Sequence, residues 1–256
     1  MFYRLAPGNI LQLMYLRDRL RTYKPGSFIE IEPSAGDISN LLLSLGWTGT
    51  SYDLEPTTID HLRTRFGQEI KAGRYAPVCE DFLATQDKTS VDLIISAQVI
   101  EHLSPTEEKR YFETALQRLT STGILMLIVP SSKKYWSIED EIAGHYRRYE
   151  PGDIEASIAT FPLTAHKFAG LTYPVSNILF PLSVYLVTKH ESHKRALTAK
   201  EQTMQSGMRS VPFKTTFPKW TSLILNSYCM YPLHLLQKLF SNRKTSLNYF
   251  YEIVRK

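Results

Sequence analysis

His145 lies in Gly144-His145-Tyr146-Arg147-Arg148-Tyr149, and His102 in Ala97-Gln98-Val99-Ile100-Glu101-His102-Leu103, directly after an apolar run. Histidine ionises close enough to neutrality to take a proton from a hydroxyl or an amine. His145 is the first candidate for such a base and His102 the second. Each has a competing reading: His102 could bond backbone at a strand end, and His145 could orient its own loop. Arg147 and Arg148 could hold an anionic group of a substrate, or pair with Glu139, Asp140 or Glu141 on the same loop. Tyr146 and Tyr149 offer pocket walls.

A second group surrounds Phe28-Ile29-Glu30-Ile31-Glu32-Pro33-Ser34-Ala35-Gly36-Asp37, which reads as a buried strand turning sharply into a helix. Asp53, 17 residues after Gly36, ends the next strand. A carboxylate there can accept two hydrogen bonds from the vicinal hydroxyls of a ribose, each worth roughly 1.5–3 kcal/mol. It can equally cap a helix opening at Glu55-Pro56. Asp81-Phe82 follows the third strand, where Asp81 could accept from an exocyclic amine and Phe82 present its ring or backbone N–H. An Asp in a loop is also an ordinary turn residue. The turn after the first strand carries one of the glycines usual in a nucleoside-gripping turn, and Glu32 stands where the first would be. Its carboxylate would repel a ligand carboxylate by about 1–4 kcal/mol at about 4 Å, depending on the local dielectric. Turned to an ammonium or sulfonium, it would attract.

The elements that must position these groups alternate in type from residue 8 to about 170, the pattern of a parallel sheet with helices on both faces. A leading helix covers 8–22 and stops before Pro25-Gly26. Phe28 to Glu32 is the first strand. Ile38, Leu41, Leu42 and Leu45 then recur at helical spacing, with Gly46 as the stop. Thr48 to Leu54 is the second strand, Ile59, Leu62 and Phe66 mark a helix, and Tyr75 to Cys79 is the third strand. Val91 to Ala97 is nearly continuous in apolar residues, as a buried parallel strand should be. Ser104-Pro105-Thr106-Glu107 has capping-box spacing with proline at the first helical position. Gly123 to Val129 is the fifth strand, ended by Pro130. A helix near Pro151 to Thr160, a sixth strand from Leu163 to Leu171 and a last strand from Leu247 to Val254 follow. Between the last two strands lie a polar section, Lys189 to Ser210, and Trp220 to Phe240, which Pro232 divides or kinks.

At 256 residues with 43% hydrophobic and 21% charged residues, the chain is an ordinary globular protein. Its net charge of +5 and pI near 9.0 come from scattered residues and short clusters, a solvated basic face rather than a nucleic-acid site. Cys79 and Cys229 stand far apart without a CxxC, which argues for a reducing, cytoplasmic setting. The N-terminus lacks the layout of a signal peptide. Phe168 to Val187 carries no charge over 20 residues, long enough to span a bilayer. Pro174, Pro181, Ser176 and Asn177 interrupt it, so the expectation is a strand and an apolar helix, with no transmembrane segment.

Taken together, Val91 to Leu103, Gly123 to Pro130 and Gly144 to Tyr149 resemble the class I S-adenosylmethionine-dependent methyltransferases, over Phe28 to about Leu171 and the final strand. The resemblance implies a single Rossmann-like α/β domain with a mainly parallel seven-stranded sheet. Its core is 24–173 plus 246–255, and 174–244 forms a helical insertion or lid. It implies S-adenosylmethionine as cofactor, with Glu30, Glu32, Ser34 and Gly36 around the methionine part. Asp53 and Leu54 would face the ribose, Asp81 and Phe82 the adenine, with Ala97 and Gln98 at the fourth strand. His145 and His102 would act as bases, and Tyr146, Arg147 and Tyr149 would meet a small-molecule substrate methylated at oxygen or nitrogen. Small-RNA and ubiquinone-pathway O-methyltransferases place Glu-x-x-Glu-His after this strand to hold magnesium. Here Gln98 replaces the first carboxylate and is a poorer ligand for a hard dication, so no metal is expected. Two alternatives remain, a cofactor-binding scaffold without turnover and a peripheral membrane enzyme acting on a lipid-linked substrate. A homodimer is a third use for the apolar insertion.

Overall fold

The computed structural model of the chain describes residues 5–192, 211–212 and 217–256. The backbone packs as two compact units. The first gathers Met1–Asp18, Pro130–Glu150 and Ala169–Tyr249, and the second Arg19–Val129, Pro151–Phe168 and Phe250–Lys256.

Runs of β-branched and aromatic residues make the sheet, whose strands fall mainly in the second unit. They are β1 (Ser27–Ile31), β2 (Thr48–Tyr52), β3 (Tyr75–Val78), β4 (Val91–Ala97), β5 (Leu119–Pro130), β6 (Leu163–Leu171) and β7 (Asn248–Arg255), in the spatial order β3-β2-β1-β4-β5-β7-β6. The pairs β1–β2, β1–β4, β2–β3 and β4–β5 are parallel. The expected seven-stranded sheet forms, and the order reverses between β1 and β4. Ligands bind at such a switch point, outside the carboxyl ends of the strands.

The inner strands are buried on both faces. Leu93, Ile94 and Ile95 of β4 and Leu125 and Leu127 of β5 have no exposed surface, and each such side chain contributes roughly 1.5–3 kcal/mol by leaving water. Helices α2 (Asp37–Ser44), α3 (Pro56–Arg65) and α5 (Pro105–Arg118) follow in the expected order, with an additional short α4 (Gly67–Lys71) after α3. The Ser104/Glu107 capping box starts α5, which turns Tyr111, Phe112 and Ala115 inward. The largest departure from the sequence reading is in β5, which begins at Leu119, not Gly123; β1 and β2 end at Ile31 and Tyr52 rather than Glu32 and Leu54. Val91 pairs with Leu119 but Leu93 with Ile124, so the register shifts between them. Gly123 sits in the irregular stretch, where a Cβ would come within 3.0 Å of the Val91 carbonyl oxygen. Such a bulge is invisible to an apolar-run reading.

In the first unit, α1 (Pro7–Leu20) lays Ile10, Leu11 and Met14 against Met230, Val175 and Leu233. The segment forms two pieces, a short 3-10 turn, Lys219–Leu223, and an α-helix, Tyr231–Leu239, with Pro232 in the first turn of the second. The latter comes after α6 (Ile138–Ala143), α7 (Asp153–Ile158) and α8 (Val175–Glu191), and is named α9. Polar side chains on its inner face fix it. Gln237 donates to the Leu11 carbonyl at 2.8 Å and accepts from the Thr172 N–H, and His234 meets Asp18 at 2.9 Å. Helix α8 packs Val187 on Ile138 and Ile142 of α6. Among the described residues no helix is long and apolar enough to cross a membrane. Most of the polar section expected from Lys189 to Ser210 lies outside the described residues.

Candidate functional site

The turn after β1 depends on backbone torsion. Glu32, Ser34 and Gly36 have φ values of 53°, 52° and 80°, all left-handed. Glycine adopts that region freely, whereas other L-residues lose roughly 1–2 kcal/mol there. At Gly36 space is also closed, because a Cβ would lie 2.6 Å from Leu62 and 2.7 Å from Phe66. The chain therefore keeps the shape of a three-glycine turn with a single glycine. The Glu32 N–H donates to the Tyr52 carbonyl at 2.9 Å, holding the turn to the end of β2. Replacing Glu32 with glycine is expected to stabilise the protein by about 1 kcal/mol at neutral pH through strain relief. Urea unfolding would measure it, and a loss of stability would refute the strain argument.

Glu32, Asp53 and Asp81 follow β1, β2 and β3 at the carboxyl edge. The Asp53 Oδ1 accepts from the Glu55 N–H at 2.8 Å, closing a local turn, while Glu55 is the N-cap residue of α3. Asp53 is therefore not the helix cap that the sequence alternative offered; the turn takes one oxygen, and Oδ2 makes no hydrogen bond among the described residues. Burial pushes the Asp53 carboxyl up to about 6, against the Glu55 N–H, which lowers it. Glu32 is exposed at the rim yet surrounded by protein. That surrounding, followed by the Asp53 and Asp81 carboxylates, pushes it up to about 8. Solvent contact tempers the size of this shift, and its upward direction is what the geometry carries. Among the described residues, no Lys or Arg forms an ion pair with any of these three carboxylates. Asp81 accepts from the Leu83 N–H at 2.8 Å. Leu54 is 64% exposed, and Gln98, at φ 60°, donates its N–H to Ile128. Ala97 is half-buried at the end of β4.

Two of the cofactor-binding candidates turn into the core, as does Tyr149, read from sequence as a pocket wall. The Glu30 carboxylate accepts from the Ser39 hydroxyl and, at 3.1 Å, from Ser51, and the Tyr75 hydroxyl bonds both serines. It braces β1 against α2, β2 and β3 from inside. The Phe82 ring is 3% exposed and packs between Tyr52 and Tyr111 at 5.9 and 6.1 Å. Burial raises the Glu30 carboxyl from 4.5 to about 7, opposed by the two serine hydroxyls. A carboxyl raised by folding gives its full stability below its ordinary value and loses it as pH rises through the folded value. Stability is thus expected to fall between pH 4.5 and 7 by on the order of 3 kcal/mol from this group. Glu30→Gln, which still accepts from the serines, should flatten that slope in urea unfolding at pH 5 and 8, and an unchanged slope would refute the assignment.

A surface concavity lined by Thr48, Gly49, Arg63 and Arg74 lies at the amino-terminal edge of the sheet. It holds none of the carboxylates above, and α/β folds bind ligands at the other edge.

The first unit contains its own buried arrangement. Ser137 caps α6, with Asp140 at the third position, and Gly144 at φ 74° ends it. The Asp140 Oδ1 lies 2.8 Å from the His145 Nδ1 and 2.7 Å from the Arg148 Nε, while Oδ2 accepts from the Ser137 N–H at 2.9 Å. Burial acts to raise the Asp140 carboxyl, but hydrogen bonds from His145 and Arg148 outweigh it and hold it below its ordinary value. An ionised Asp140 accepts a hydrogen bond from the His145 Nδ1–H, which fixes the orientation of the imidazole. Arg148 follows the ion-pair reading of the sequence. Arg147 is half-buried, Tyr146 is 59% exposed, and Tyr149 is 1% exposed, its N–H donated to Pro130. His102 closes the 3-10 turn Ile100–His102 in the second unit, its N–H on the Val99 carbonyl. Sequence reasoning missed Asp140 as the residue that orients His145. The Ser137-x-x-Asp140 capping spacing was the available signal.

No family model matches the chain, and no curated protein is similar to it in sequence. Solved structures are. A protein assigned as a sarcosine dimethylglycine methyltransferase from Galdieria sulphuraria superposes with a TM-score of 0.59 at 12% identity, over 96% of this chain and 85% of that one. The N-methyltransferase NodS from Bradyrhizobium japonicum WM9 gives 0.51 at 19%, over 64% and 85%. The glycopeptide N-methyltransferase MtfA gives 0.43 at 18%, covering 49% of this chain. The chain spans 55% of the length of MtfA. With its sheet order, switch point and left-handed turn, the chain has the Rossmann-like class I methyltransferase fold.

Proposed function

We propose that the chain transfers a methyl group from S-adenosylmethionine to a small-molecule acceptor, at oxygen or nitrogen. The observation that carries this reading is the left-handed Glu32, Ser34, Gly36 turn with Asp53 beyond it at the end of β2. The donor set suits the cofactor, since unpaired carboxylates favour a ligand that brings hydroxyls and positive charge. When bound, the cofactor supplies an electrophilic methyl on a sulfonium. Asp53 accepts from the ribose hydroxyls, and Glu32 faces positive charge, which offsets its repulsion by Asp53 and Asp81. Asp81 accepts from the adenine amine. Glu30 and Phe82 act from behind, keeping the turn and the β3 loop in place.

Methyl transfer by in-line displacement asks mainly for proximity and orientation. A hydroxyl or ammonium acceptor must also lose a proton. We assign that role to His145, whose Nδ1 meets Asp140 at 2.8 Å, and assign Tyr146 and Arg147 to the acceptor. NodS is an N-methyltransferase, which favours a nitrogen acceptor.

Calorimetric titration with S-adenosylmethionine and with S-adenosylhomocysteine tests the reading. Micromolar binding of both supports it and opens an acceptor screen. No binding by either would mean that the Glu32 turn has closed the site and that the chain works as a scaffold.

A further inference from the structure

Among the described residues, eleven of the fourteen large hydrophobic side chains that stand exposed lie between Ile178 and Leu239, in the first unit. They follow helical spacing. On α9, Tyr231, Leu235 and Leu239 recur every four residues and face solvent, at 52%, 49% and 75% exposure. The inner face of the same helix holds His234 and Gln237, both buried and hydrogen-bonded. Leu233 also packs inward on α1, but the outer stripe is apolar where a surface helix ordinarily shows polar residues. Helix α8 packs Val184 and Val187 inward and turns Ile178, Leu182 and Tyr185 out. The segment between the two helices adds Trp220, Leu223 and Tyr228. Apolar surface on this scale marks a docking face.

Charge identifies the occupant. Residues 174–244 contain ten Lys and Arg against two Asp and Glu, a net +8 in a chain whose total is +5. Five of these ten lie outside the described residues; the described part still holds Lys189, Lys219, Lys238, Arg243 and Lys244 against Glu191 alone. Aromatic residues suited to a headgroup zone, aliphatic residues suited to the acyl boundary and surplus basic charge form the combination of an interfacial element. No described helix is able to cross a bilayer, so this one lies on the surface.

We propose that the outward apolar faces of α8 and α9, with the exposed Lys189, Arg243 and Lys244, dock the first unit onto an anionic lipid bilayer. A second copy of the chain would suit the apolar surface but not the charge, because two faces with the same surplus of Lys and Arg repel.

The test is co-sedimentation of the full chain with vesicles of phosphatidylcholine alone and with about a third phosphatidylglycerol. Binding to the anionic vesicles is expected to exceed that to neutral ones by at least about tenfold, and to weaken severalfold as salt rises from 0.1 to 0.5 M. A Leu223→Ser, Tyr228→Ser, Leu239→Ser variant changes only exposed positions and should lose about tenfold in binding, its fold checked by circular dichroism. Lys189→Glu with Lys244→Glu, also at exposed positions, should reduce binding to anionic vesicles alone and stands in if the first variant does not fold. No binding to anionic vesicles, or binding that both variants leave unchanged, overturns the proposal. So does a dimer in sedimentation velocity that the serine variant dissociates. None of these readouts depends on cofactor binding, so they stand or fall apart from the proposed methyl transfer.

Discussion

Asp53→Ala is expected to weaken S-adenosylmethionine binding by about 100-fold or more, read as the calorimetric Kd at pH 7.5. Two hydrogen bonds to a charged acceptor are lost, each worth roughly 1.5–3 kcal/mol, and every 1.4 kcal/mol is a factor of ten. The variant also loses the turn to the Glu55 N–H, a local contact whose removal costs about 1 kcal/mol of stability and should leave the protein folded. Binding in the unmodified chain should tighten between pH 5 and 7, because the carboxyl held near 6 must ionise to accept both hydroxyls. Asp53→Asn should lose that part of the pH profile. Unchanged affinity in folded Asp53→Ala would sink the ribose assignment.

His145→Ala should lower kcat by roughly 10²–10⁴-fold with little change in cofactor Kd, the range for removing a general base. The assay follows labelled methyl transfer to an acceptor found by screening. Asp140→Asn is a sterner check, because an amide cannot stand in for the buried carboxylate that meets Nδ1 of His145 at 2.8 Å and Nε of Arg148 at 2.7 Å. It should reduce kcat and shift the pH profile while leaving the cofactor titration intact. Full activity in His145→Ala would end the base assignment and return His102 to consideration.

The sheet was legible because a parallel strand buried on both faces has few ways to be written. Val91 to Ala97 reads correctly to the residue, and Ser104 with Glu107 announces α5 through the geometry of its cap. The bulge in β5 was not legible, because Thr120, Ser121 and Thr122 fit a loop as well as a strand. The turn after β1 illustrates a deeper limit. Glycine identity stands in for torsion, and the surrounding packing imposes the same torsion on Glu32 and Ser34. The candidate site was legible by type, in Asp53, Asp81 and His145. Side-chain direction was not, because strand alternation alone could not send Glu30 into a serine and tyrosine network or Phe82 between two tyrosine rings. Asp140 was passed over because its sequence neighbours offered three carboxylates to two arginines, and only folding selects one for the histidine.

Glu30, Glu32 and Asp53 have a joint consequence. Burial holds all three carboxyls above their ordinary values. On the cofactor reading proposed above, a cation entering beside Glu32 and Asp53 would favour their ionised forms and release protons. By reciprocity, acidification would then weaken loading and alkalinisation would strengthen it, without a dedicated sensing element.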